Sequence, residues 1–111
     1  MARFMALLMA SASPIRNSEA DAEAGRAFMA AWGAWAEAHA GAIVDNGAPL
    51  GRTLRIDAGG VAGARNAVVA YAIVEAASHE AAARIFEAHP HVRLLPDTWI
   101  EVMECLEVPG T

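Results

Sequence analysis

The chain has 111 residues, enough for one domain over 1–111 that buries roughly two-thirds of its unfolded surface in a modest core. Its formal net charge of −5 excludes the electrostatic footprint of a DNA- or RNA-binding protein, and no polybasic run offers itself to an anionic membrane. A hydrophobic fraction of 56% is high for a lone small domain, even one rich in alanine, and points to a buried interface.

The start, Met1–Ala12, has some traits of a short secretory signal: Arg3, an apolar run over Phe4–Ala10, then Ala10-Ser11-Ala12. Its short length favours a first strand instead. Over Arg3–Ala10, Phe4, Ala6 and Leu8 alternate with Met5, Leu7 and Met9, so both faces are apolar. Ser11–Asn17, with Pro14, reads as a loop. Ser18-Glu19-Ala20-Asp21 has capping-box spacing with an Asp variant. It opens a helix that runs to about Ala40 and stops at Gly41. Ala24, Phe28, Ala31, Trp32, Trp35 and His39 form the inner stripe of that helix.

Ala42–Asp45 reads as a short second strand, and Thr53–Asp57 alternates again. Ala58-Gly59-Gly60 turns the chain, so the region reads as a long, bent hairpin. Ala67–Glu75 is the central strand, β-branched, aromatic and apolar on both faces. Ser78 caps a second helix, His79–His89, whose stripe is Ala82, Ile85, Phe86 and His89 and which Pro90 ends. His91–Pro96 is a connection. Thr98–Val108 is the last strand, with Ile100, Val102 and Leu106 opposite Trp99, Glu101, Met103 and Cys105.

The order β-α-β-β-α-β is the ferredoxin-like split arrangement. The expected fold is therefore α+β: a four-stranded antiparallel sheet with a long hairpin between its second and third strands, and both helices on one face. Strands apolar on both sides need cover on both sides. Two helices cover one face, and a second copy of the sheet is the simplest cover for the other, so a homodimer is expected.

Phe4-Met5-Ala6-Leu7-Leu8, Trp32-Gly33-Ala34-Trp35 and Asp45-Asn46-Gly47-Ala48-Pro49-Leu50-Gly51 resemble the YCII-related (YciI-like) family. The resemblance continues through Tyr71-Ala72-Ile73-Val74-Glu75-Ala76, His89-Pro90-His91 and Ile100-Glu101-Val102-Met103-Glu104, over nearly the whole chain. It implies a ferredoxin-like fold and a dimeric α/β barrel with two sheets face to face. For some members a His on the first helix and an Asp ending the second form a proposed active pair, and a few relatives are lyases or dehalogenases of hydroxylated aromatics. In this chain the first position falls near Ala30, the second is His89, and the Asp-Gly-Pro-Phe motif of another branch is absent.

His89 and His91 are the first candidates for chemistry. Two imidazoles near a carboxylate form a general acid–base set; the alternative is that His89 caps helix carbonyls and His91 is partly exposed. His89-x-His91 also has the spacing of two metal ligands, without a second His/Cys cluster to complete a site. Glu101, beside Trp99, Met103 and Cys105, is either a base in an apolar pocket or a solvated rim carboxylate. Asp45, Asn66 and Tyr71 can give a pocket polar handles, or simply shape two turns and fill core. Cys105 is the only cysteine, which excludes an intrachain disulfide and fits the reducing cytoplasm. No stretch approaches the ~20 apolar residues of a membrane span. Two functions follow as expectations. One is a small-molecule lyase, isomerase or dehalogenase-type enzyme without a tightly held cofactor. The other is a non-catalytic homodimer that binds a small organic ligand or serves as a scaffold.

Overall fold

The computed structural model describes residues 1–11 and 19–109, and in the first helix the side chains from residue 22 onward. The elements are β1 (Ala2–Ala10), α1 (Glu19–Ala38), β2 (Ile43–Asp45), β3 (Thr53–Asp57), β4 (Gly60–Ala64), β5 (Val68–Ala76), α2 (His79–Ile85), α3 (Pro90–Leu94) and β6 (Thr98–Glu104). The cap assigned to Ser18 and most of the loop after Ser11 lie outside the described residues.

The fold is α+β. A four-stranded sheet has the order β2-β5-β1-β6, and β3 and β4 form a separate two-stranded sheet. Every pairing is antiparallel. The two long apolar strands, β1 and β5, lie side by side at the centre, where their residues are covered best.

Alternation then decides sides. Phe4, Ala6, Leu8 and Ala10 of β1 and Ala70, Ala72, Val74 and Ala76 of β5 are buried beneath the helices. Trp32 and Trp35 of α1 and Ala82 and Phe86 at α2 join them in one core cluster, with Ile100 and Val102 of β6 packed at its margin. Each large apolar side chain fully removed from water there stabilises the fold by about 1.5–3 kcal/mol. The Trp35 indole N–H donates to the Ile85 carbonyl at 2.8 Å, which satisfies an otherwise unpaired group at the end of α2.

Several expectations need correction. The inner stripe of α1 begins only at Phe28, because Ala24 is exposed. The second helix is shorter than His79–His89. It ends at Ile85, and three turn-type bonds (Phe86 to Ala83, Glu87 to Arg84, His89 to Phe86) carry the chain onward. Pro90 does more than end a helix: it stands at the first position of α3, where the missing N–H costs nothing, and so the supposed loop His91–Pro96 is partly helical. The long hairpin divides in two. β2 pairs with β5 in the main sheet, whereas β3 pairs only with β4. The last strand stops at Glu104, short of Val108.

Gly47 fixes the path from β2 toward the arm formed by β3 and β4. Its φ is +73°, and a Cβ there would lie 1.6 Å from the Tyr71 carbonyl oxygen. Only glycine lets the turn approach β5 so closely. The Asp45 carboxylate accepts the Gly47 N–H at 2.8 Å and holds the turn.

Candidate functional site

The helix side of the sheet holds both histidines of the His89-Pro90-His91 segment. His89 is fully buried and His91 is 2% exposed. His89 caps α3: its Nδ1 accepts the His91 backbone N–H at 3.0 Å. A ring that accepts at Nδ1 and is neutral carries its proton on Nε2. That Nε2 is buried without a hydrogen-bond partner. Around it stand two indoles, edge to face, with Trp35 at 4.4 Å and Trp32 at 4.6 Å between ring centroids. Burial pushes the His89 pKa down to about 4, and the charge of a protonated His91 adds to the shift.

The His91 ring Nε2 lies 2.7 Å from the Met9 carbonyl oxygen. Burial lowers its pKa as well, opposed by hydrogen bonds to the backbone of Met9 and Trp99. The ring thus ties α3 to β1, and the Thr98 hydroxyl, 2.8 Å from the His91 carbonyl, ties α3 to β6. The two rings are 6.4 Å apart at their centroids. In this setting both imidazoles act as packing and capping groups.

Glu101 occupies the other side. β6 alternates, so Ile100 and Val102 reach the core while Trp99, Glu101 and Met103 point away from the helices. The sheet therefore stands between Glu101 and the histidines, and the expected arrangement of His89 or His91 with Glu101 is not formed among the described residues. Across this open face Glu101 is in register with Leu7, and Leu7 with Tyr71. The next row is Met103, Met5 and Ile73, and Met9 faces Trp99 on the other side. The Trp99 indole N–H donates to a Glu101 carboxylate oxygen at 2.8 Å. An ion pair between Arg3 and Glu75, 3.4 Å apart, closes one end. The result is an apolar field, half exposed, with one oriented carboxylate and one phenol.

The remaining candidates scatter. Asp45 serves the Gly47 turn. Asn66 accepts the Val68 N–H at 2.9 Å in an equivalent turn, and it borders a groove of about 400 Å³ with Leu50, Arg52 and Leu54 at the root of the arm. Asp45 is in register with Ile73, so it stands at the β2 edge of the open face, and Glu101 stands on β6 at the opposite edge. Among the described residues no group of three or more His, Cys, Asp or Glu side chains gathers as a metal site. Cys105 is exposed, and its backbone N–H continues the β1–β6 ladder to the Arg3 carbonyl.

One contact was missed from the sequence. His79, at the start of α2, has Nε2 at 2.7 Å from the Val102 carbonyl and Nδ1 at 3.6 Å from the Glu104 carboxylate. Its ring stacks on Phe4 with centroids 5.2 Å apart. No spacing in the sequence signals it, because 25 positions separate His79 from Glu104 and only sheet assembly joins them.

The fold and the open face define a class: an α+β domain with one sheet face packed under helices and the other presented as an apolar surface carrying a carboxylate. No protein-family model and no curated protein matches the chain. Among the described residues no helix is long and apolar enough to cross a membrane.

Proposed function

We propose that this chain is a ferredoxin-like, YciI-type protein that works in the cytoplasm as a homodimer, sheet face against sheet face, and holds a small organic ligand between the sheets. The observation that carries the reading is the row Tyr71–Leu7–Glu101 on the sheet face opposite the helices, among Met5, Met9 and Ile73 and with the Arg3–Glu75 ion pair at one end. The sheet order β2-β5-β1-β6, with α1 and α2 on one side, supports the ferredoxin-like assignment, the β3–β4 hairpin being an insertion between two of its strands. A sheet apolar on both sides and covered on one leaves surface that association removes from water.

In such a dimer the carboxylate of Glu101, oriented by the Trp99 indole, meets a ligand group that donates a hydrogen bond, such as a phenolic or alcoholic hydroxyl. Tyr71 supplies a second polar contact, and Met5, Leu7 and Met9 supply apolar walls. Acid–base catalysis is the second reading. Its base is Glu101, because Glu101 lies in the central row with Leu7 and Tyr71, whereas Glu75 on the same face is paired with Arg3 and His89 is buried under the helices.

Leu7→Asp tests the assembly. Leu7 is partly exposed in the single chain, and an unchanged circular dichroism spectrum checks that the variant is folded. Light scattering should show a dimer for the native chain at micromolar concentration and a monomer for the variant. A native chain that stays monomeric sinks the proposal. Glu101→Gln tests the ligand: binding of simple phenols, followed by calorimetry, should weaken about tenfold, the effect of losing one charge-assisted hydrogen bond. Equal affinity in the two proteins removes Glu101 from the site.

A further inference from the structure

The hairpin of β3 and β4 is amphipathic and packs on no other element to any extent among the described residues. Leu54, Ile56 and Val61 are 53%, 77% and 65% exposed. Ile56 lies directly opposite Val61, and Leu54 opposite Gly63, so they share one face of the ribbon. Arg55 and Asp57 are paired at 3.3 Å. The two strands contact each other and scarcely touch any other element. An isolated two-stranded ribbon is marginal in water, and an apolar face on one requires cover. The radius of gyration, 15.8 Å, exceeds the ~13 Å of a compact chain of this length, as a projecting arm requires.

We infer that this arm clasps a second copy of the chain, its Leu54–Ile56–Val61 face laid against the β6 edge of that copy. The inference rests on the sheet-to-sheet homodimer proposed above and adds what closes it. Charge selects the edge. Arm and root carry Arg52, Arg55 and Arg65 against the single carboxylate of Asp57, in a chain of net charge −5. From Asp97 to Val108 the chain carries Asp97, Glu101, Glu104 and Glu107 and no basic residue. The basic arm and the acidic edge are complementary.

Topology permits the contact. The arm leaves the main sheet beside β2 and β5, where Pro49 bridges to Ala70, and β6 is the opposite edge. A two-fold axis running along the strands lays the β2 side of each sheet over the β6 side of the other, so both arms engage at once. The β6 edge exposes Trp99, Met103 and, just beyond it, Leu106 as an apolar counterpart. Size argues the same way. The sheet face is four strands wide, one of them only three residues long, and a stable interface takes about 800 Å² of accessible surface from each side. The arms add their exposed Leu54, Ile56 and Val61 to what the sheets bury.

The test separates the arm from the dimer. Ile56→Asp changes a residue exposed in the single chain, so its fold is retained. Sedimentation of the full-length variant should show a dimer dissociation constant raised at least ~10-fold. In parallel, an Ile56→Cys, Cys105→Ser variant carrying a benzophenone maleimide is irradiated as an isotopically mixed dimer. Adducts between copies should map to residues 97–107. A native dimer whose affinity is unchanged by Ile56→Asp, or whose adducts fall within one chain or elsewhere on the second, overturns the arm contact and leaves the sheet-face dimer standing. A monomeric native chain overturns both.

Discussion

Gly47→Ala should destabilise the protein by at least about 3 kcal/mol, a shift visible in the urea midpoint. Two costs combine. At φ +73° an alanine sits in a region that L side chains rarely occupy, worth about 1 kcal/mol or more. Its Cβ would also lie 1.6 Å from the Tyr71 carbonyl oxygen, far inside contact distance. That oxygen belongs to the backbone of the central strand β5 and cannot rotate aside as a side chain would. The turn must move away, breaking the Asp45–Gly47 bond and straining the Pro49–Ala70 bridge. Gly51, with open space at its Cβ position, is the control, and Gly51→Ala should stay within about 0.5 kcal/mol of the native chain. Equal midpoints for the two variants would mean that the turn reaches β5 differently.

Acid should weaken the fold through His89. Its pKa is near 6.5 when unfolded and about 4 when folded, so between those values the unfolded chain binds the extra proton. Stability therefore holds above about pH 6.5 and falls as the pH drops toward 4, by up to about 3 kcal/mol if His89 acts alone. Below pH 4 both states are protonated and this contribution no longer changes. His91, lowered in the same direction, steepens the fall. Denaturant unfolding at half-unit pH steps measures the slope. His89→Leu should be less stable at neutral pH, because the His91 backbone N–H loses its acceptor, and should show a shallower slope across the window. An unchanged slope would place the neutral, buried imidazole in error.

The two histidines also show where local pattern ends. Their spacing, with a proline between, reads equally as a proton shuttle, a metal pair or a helix start. Only the assembled core distinguishes these, by placing Trp32 and Trp35 around His89 and the Met9 carbonyl on His91. Pro90 is a similar case. The rule that proline disfavours helical geometry at the residue before it holds for His89, which is extended, yet α2 already ends at Ile85 and Pro90 serves as the first residue of α3. Glu101 was legible as a member of the face shared by Trp99 and Met103, because period-two alternation is a local property.

By itself the sequence determined the positions of β1, β2, β5 and β6, the first helix and the start of the second, and the apolar character of both faces of β1 and β5. Hydrophobic period depends on near neighbours along the chain, so it survives without any knowledge of contacts. Tertiary structure alone decided which face the helices take, that β3 and β4 separate as an arm, and that the sheet divides Glu101 from the histidines. Those outcomes depend on strand pairing and on backbone approach, such as Gly47 against Tyr71, between residues far apart in sequence, where no local period carries information.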